Sequence, residues 1–404
     1  MKKTIYLVAL GMSSVIMSCS GTLHEQERPY TVAAYYFPNY HVDARNEKIH
    51  GAGWTEWELV KNAKPRFESH RQPIEPLWGY TDEADPVAMA QKIDAAHTHG
   101  IDAFIFDWYY YDDGQFLERA LEEGFMMAKN NDLLKFALMW ANHDWEDIHP
   151  FDSREDREML YPGKITKETW DKMTDFIIEK YFSHPSYWQI NGAPYFSIYD
   201  LTRFIEIFGS VADTRKGIDA FREKARKAGF HDINMNAVVW GRTVLPSEEV
   251  VSNPAALVEE LGFNSFTSYV WIHHVGLNQF PATSYDSVST EYFKYAEEAV
   301  KEYKIPYYPN MTMGWDASPR THQATAFENL GYPYMPVMVG NTPEAFKKSL
   351  VTMKKFADQR LAGDKIITVN CWNEWTEGSY LEPDKVNGMA YLEAIRDVFG
   401  KINQ

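Results

Sequence analysis

From Thr31 onward the chain alternates short apolar, β-rich runs with helical patterns. Eight such runs are found, at residues 31–40, 101–110, 134–140, 193–200, 234–241, 263–270, 307–316 and 366–372. Most are near-continuous in hydrophobic residues, as strands buried on both faces require. The helical stretches between them have readable ends. Asp85-Pro86 caps and opens a helix that stops at Gly100, Asn253-Pro254 opens one that stops at Gly262, and Thr342-Pro343 opens one that runs to Ala362. Alternation of β and α predicts a parallel sheet, and eight repeats predict a closed (β/α)8 barrel over residues 31–404. An open, doubly wound sheet competes with it. The first run lacks the glycine-rich phosphate loop that such a sheet uses. The surplus length sits in loops after strands, at 41–84 and 143–165, which a barrel places on its catalytic face.

The first twenty residues belong to a different pattern. Lys2 and Lys3 precede an apolar run over 5–17, which ends Ile16-Met17-Ser18-Cys19. This resembles a bacterial lipobox: residues 1–18 read as a signal peptide, Cys19 as the lipidated N-terminus and 19–30 as a tether. The run is shorter than the roughly 20 residues of a membrane span. The expected product is an exported lipoprotein of the outer membrane, attached by its lipid alone and acting as a monomer. Cys371 is the only other cysteine, so no disulfide framework is expected.

Composition narrows the function classes. Hydrophobic residues at 45% and charged residues at 24% suit a soluble domain, and a net charge of −17 disfavours a nucleic-acid partner. Aromatic residues reach 15%, with 13 Trp and 25 Tyr. Most of the tryptophans fall at strand C-terminal ends, beside carboxylates and amides. These ends read Asp107-Trp108, Trp140, Asn142-His143, Tyr199, Trp240, Tyr269, Trp315-Asp316 and Trp372-Asn373-Glu374-Trp375, and the first loop adds Trp54, Glu56 and Trp57. Indole rings stack on the C–H face of a sugar while carboxylates and amides bind its hydroxyls, so all of these are candidate glycan contacts.

Glycoside hydrolysis needs two carboxyl groups. Glu374 and Glu377 stand three residues apart just after the eighth run, a spacing that puts both on one side of a turn. A metal hydrolase is the rival. Asp107, His143, Asp144, His273, His274 and Asp316 carry suitable ligand atoms, but no HxH follows the first run and no HExxH occurs. No metal or cofactor is therefore expected. No GxSxG occurs, and Cys371 lies within an apolar strand.

The run from Trp372 to Pro383, WNEWTEGSYLEP, resembles the signature of the WbsX-like group and of glycoside hydrolase family 99. Gly53-Trp54-Thr55-Glu56-Trp57 and Tyr35-Tyr36-Phe37-Pro38 resemble the group's N-terminal motifs, and the resemblance runs from about Tyr30 to the C-terminus. It implies a barrel and hydrolysis with retention. It also implies roles for the two glutamates: Glu374 as a base on the sugar's own 2-hydroxyl, and Glu377 as acid and base at the glycosidic oxygen. An α-mannoside or similar sugar is the substrate type that this chemistry admits. Two alternatives remain: a glycosyltransferase of polysaccharide synthesis, and a non-catalytic glycan-binding lipoprotein.

Overall fold

The computed structural model describes residue 1 and residues 29–400, so the signal, Cys19 and tether expectations lie outside the described residues. Eight strand positions form a ring: β1 (Tyr30–Tyr36), β2 (Ala103–Tyr111), β3 (Lys135–Trp140), β4 (Ala193–Ile198), β5 (Asn234–Val238), β6 (Ser265–Thr267), β7 and β8 (Lys365–Asn370). β7 comes in two pieces, Tyr307–Tyr308 and Asn310–Thr312. The first piece pairs with β6 and the second with β8, so the parallel ring closes through the interruption at Pro309. Proline lacks the N–H that a ladder needs. Its carbonyl still accepts from the Thr368 N–H at 3.0 Å.

Helices cover the outside: α1 (Pro86–Thr98), α2 (Lys167–Ile177), α3 (Leu201–Phe208), α4 (Val211–Lys227), α5 (Pro254–Leu261), α6 (Tyr285–Glu302), α7 (Pro343–Arg360) and α8 (Ala390–Phe399). The Asp-Pro, Asn-Pro and Thr-Pro signals open α1, α5 and α7, each with the capping side chain accepting from a first-turn N–H. Several predicted runs overshoot the paired strands. Residues 31–40 pair only to Tyr36, and 263–270 pair only over Ser265–Thr267. Their apolar tails peel off the ladder to build the floor of the C-terminal face. No helix among the described residues is long and apolar enough to cross a membrane.

Strand periodicity sorts the side chains. Along β2, Asp107 and Tyr109 point into the barrel mouth. Phe104 and Phe106 pack outward on Phe125, and Trp108 packs on Tyr181. Successive residues of one strand cannot both face the cleft, which decides the fate of several predicted contacts.

Candidate active site

Glu374 and Glu377 sit on a tight turn after β8. Residues Trp375–Glu377 form one 3₁₀ turn, closed by Gly378 at φ 62°. A Cβ there would lie 2.7 Å from the Asp316 Cβ and 2.9 Å from its backbone nitrogen, so the position demands glycine on both counts. The turn is held from beneath. Trp372 and Trp375 donate their indole N–H groups to the two oxygens of Glu382, at 3.0 and 2.8 Å. Buried Lys92 of α1 lies 2.7 Å from Glu382 and 2.8 Å from Glu83. Asn373 clamps the N–H and carbonyl of Phe37, fixing the turn to the end of β1.

Above this support, one buried arginine gathers three carboxyl groups. Arg320 donates from Nη1 to Glu377 and from Nε to Glu56 at 2.8 Å, and its Nη2 lies 3.5 Å from Glu374. The two glutamates of the motif thus meet neighbouring nitrogens of one guanidinium and stand side by side. Tyr332 donates to Glu377 at 2.7 Å. The Tyr269 hydroxyl lies 2.8 Å from Asp107 and 2.9 Å from Glu374. One hydroxyl carries one proton, so only one of these carboxyls can accept from it. The other completes the chain by carrying a proton itself.

The titration directions agree. Burial pushes Glu374 well above the usual carboxylate range, and the adjacent Glu377 adds to this against the pull of Arg320. Burial also raises Glu377, with Arg320 and Tyr332 opposing. Asp107 is pushed well up, chiefly by burial. Glu56 is held below the usual range: burial opposes ionisation, but Arg320, His149 and its hydrogen bonds prevail. Burial thus favours the protonated form at this pair, more strongly at Glu374 than at Glu377, where Arg320 and Tyr332 donate.

These groups floor a cleft that opens to solvent. Of the predicted residues, Asp107, His143, Tyr199, Tyr269, Trp315, Glu374 and Glu377 line it. Asp107, His273 and Trp315 line it, and their Oδ1, Nδ1 and Nε1 atoms are buried without an internal partner.

The other predicted contacts do not reach the cleft. Trp140 faces the helix layer on Trp170 and Phe204, as Trp108 faces Tyr181. Trp372 and Trp375 are the buried supports already described. Trp57 stacks on Tyr40 and donates to the Thr81 carbonyl. Trp54 stacks on His50 in the first loop, and Trp240 packs behind Tyr199 and His273. Among the polar candidates, Asn142 clamps the backbone of Asp200, and Asp316 accepts from Gln72 and approaches His70, both at 2.8 Å. Glu56 serves Arg320 and Thr376, and Asn373 serves Phe37. The tryptophan-rich motifs are thus mainly scaffold.

Sequence reading missed Arg320, Tyr332, Tyr109 and the cleft-lining part of the third loop, Trp145, Ile148 and His149. Tyr109 was within reach of the period-two rule, since it lies two residues beyond Asp107. Arg320 follows Asp316 by four residues, but no local pattern marks it.

Asp200 makes a separate prediction. It caps α3, and burial pushes it up to about 7. A carboxyl raised on folding stabilises the protein while protonated, and that contribution is lost as pH rises from about 4 through about 7. Urea titrations should show stability falling over this window by at most about 4 kcal/mol, and Asp200→Asn should flatten the fall. An unchanged slope in the variant would place its cause at another group.

The family model described as Glycosyltransferase WbsX matches residues 32–395. Two curated relatives, each an uncharacterized protein WxcX from a strain of Xanthomonas campestris pv. campestris, are 26% identical over 373 residues. The match covers 91% of this chain and 49% of theirs, so the chain spans about half the length of these relatives. Among solved structures, a glycoside hydrolase-like protein aligns at TM-score 0.57 with 14% identity, over 92% of this chain and 94% of that one. The GH99 endo-alpha-mannosidase from Bacteroides thetaiotaomicron, in complex with BIS-TRIS-Propane, aligns at TM-score 0.50 with 15% identity, over 90% and 94%. At these identities the likeness is one of fold alone.

Proposed function

The chain belongs to the WbsX glycosyltransferase family, and we propose that this member is a glycoside hydrolase acting with retention on a poly- or oligosaccharide. One observation carries the reading. Glu374 and Glu377 converge on neighbouring nitrogens of the buried Arg320, at the floor of an aromatic cleft. A retaining enzyme that uses a protein nucleophile sets its carboxyls about 5–5.5 Å apart, flanking the scissile bond. A side-by-side pair instead suits two adjacent oxygens of one sugar. Glu374 takes the proton of the 2-hydroxyl while Glu377 protonates the glycosidic oxygen. The 2-oxygen displaces the leaving group, forming a 1,2-anhydro sugar. Water then opens it, with Glu377 accepting the water proton and Glu374 returning one to the 2-oxygen. The inversions at the anomeric carbon in the two steps give retention. The 2-hydroxyl must lie anti to the leaving group, as in α-mannosides.

Each step needs one ionised and one protonated carboxyl, and the coupled pair is built to hold a single proton between them. Arg320 limits the negative charge and Tyr269 steadies Glu374. The test is a screen of purified protein against plant, fungal and host glycans, with proton NMR of the first-formed anomer. The expected result is cleavage with retention. Initial formation of the opposite anomer would contradict the mechanism.

The family name favours a second reading, transfer from a sugar nucleotide. The cleft speaks against it. Among the described residues that line the cleft, Arg320 is the one lysine or arginine, and Glu56, Glu374 and Glu377 already engage it, so the cleft offers a diphosphate no uncommitted cation. Release of a nucleotide from sugar-nucleotide donors in the same screen would favour the transferase.

The place of action is part of the proposal. Lipidation at Cys19 would hold the enzyme at the outer membrane. Cys19→Ala should then release the protein from membranes or block its processing, as read by fractionation and mass. Unchanged processing and fractionation would remove the anchor from the account.

A further inference from the structure

Asp107 takes no part in the steps assigned to Glu374 and Glu377, yet it is tied to one of them. It stands on β2, Tyr269 follows β6, and Glu374 follows β8. The Tyr269 hydroxyl joins the other two, with Asp107 Oδ2 at 2.8 Å and Glu374 Oε2 at 2.9 Å. Packing fixes the ring: it tilts against Tyr35 of β1 at 4.8 Å and meets Tyr199 edge-on at 5.6 Å. The hydroxyl is thereby held between the two carboxyls, and its one proton serves one of them at a time.

The chain of hydrogen bonds can run two ways. In one, Asp107 is protonated and donates to the Tyr269 oxygen, and Tyr269 donates to an ionised Glu374. In the other, the proton sits on Glu374 and the direction is reversed. Three observations favour the first. Arg320 Nη2 lies 3.5 Å from Glu374, whereas no ion pair of Asp107 occurs among the described residues. The titratable groups that face Asp107 are Tyr35, Tyr109, Tyr269, Cys371, Glu374 and Glu377, and all of them are acids. Asp107 Oδ1 is buried without an internal partner, which costs less on a neutral carboxyl than on a carboxylate. Finally, Glu56, 2.8 Å from Arg320, already matches the guanidinium charge, so a charge on Asp107 would add to a buried surplus.

We propose that Asp107 is a positioning residue: it keeps a proton at working pH, and that proton turns the Tyr269 hydroxyl onto Glu374 and holds Glu374 ionised as the base for the 2-hydroxyl. What Glu374 does rests on the hydrolase reading above. Asp107 gives up no proton during the cycle. The arrangement meets a need of the pair itself. Burial and Glu377 push Glu374 towards its protonated form, yet a base must be ionised. Arg320 and Tyr269 oppose that push, and Tyr269 is free to do so only while Asp107 holds a proton of its own.

One arm of the test does not use activity. Infrared difference spectra of the full chain at pH 7, unaltered minus Asp107→Asn, should show the carbonyl band of a neutral carboxyl, and carbon-13 labelling of aspartate should move it. Asp200, pushed up to about 7, is present in both samples and cancels. Carboxylate bands in place of the neutral one would overturn the proposal. The second arm is the pH profile of kcat on a glycan cleaved in the screen. Its acidic limb reports the first ionisation of the Glu374–Glu377 pair. Tyr269→Phe removes the donor and should move that limb up by about one to two pH units, the usual worth of a hydrogen bond to a charged group. The amide of Asp107→Asn donates to Tyr269 as the neutral carboxyl does, so the limb should stay in place, whereas loss of an anion there would move it down. A limb unmoved by Tyr269→Phe, or displaced by Asp107→Asn, would overturn the proposal and leave the hydrolase intact. If no glycan is cleaved, the hydrolase reading fails, and the infrared band alone decides where the proton sits.

Discussion

Glu377→Gln is expected to lower turnover of a cleaved glycan by about 10²–10⁴-fold, the usual worth of a positioned general acid. The amide oxygen can still accept from Tyr332 and Arg320, which now donate to Glu377. Fold and glycan binding should therefore survive while the transferable proton is lost. The check is kcat beside calorimetric binding of the same glycan. Near-normal kcat would move the acid elsewhere. Asp107 would then be next, because it lines the cleft, whereas Asp200 and Asp316 do not.

Arg320→Met should be the most destabilising single change in the site. The guanidinium is fully buried and faces Glu56, Glu374 and Glu377. Removing one member of a buried ion cluster leaves uncompensated charge and typically costs about 3–5 kcal/mol. The pH dependence has a definite sign. With Arg320 present, Glu56 is depressed on folding, so its contribution is present above the unfolded value and lost as pH falls through the folded one. Without the cation, all three carboxyls are raised on folding. Their stabilisation then exists only while they are protonated and drains away as pH rises. Urea unfolding should show a larger deficit at pH 7 than at pH 5. A small deficit that does not vary with pH would mean that the cluster is neutral already.

Much of the architecture was legible because barrel strands announce themselves as doubly buried runs. Proline signals mark helix starts for reasons internal to one turn. The pair Glu374 and Glu377 was legible for the same reason, being a local pattern on a strand end. What could not be read was anything built by contacts across the ring. Arg320 matters because Glu56, 264 residues away, and Glu377, 57 residues away, converge on it. Trp372 and Trp375 looked like sugar platforms because of their company, yet both donate to Glu382, which Lys92 pairs with. The period-two rule was available for Trp108, and it separates that ring from Asp107. The loop over 143–165 was visible only as surplus length. Its junction with the loop after β7 depends on a backbone pairing of Phe151 with Arg320 and His322.

The central claim is that the substrate's own 2-oxygen, and not a protein carboxylate, attacks the anomeric carbon. The most direct measurement compares a cleaved substrate with its 2-deoxy counterpart, both as rates and as intact-protein mass. The account predicts that the 2-deoxy compound binds but is not cleaved, and that 2-fluoro analogues leave the mass of the protein unchanged. Brisk turnover of the 2-deoxy substrate, or a glycosyl adduct on Glu374 seen by mass spectrometry, would contradict it and make Glu374 an ordinary nucleophile.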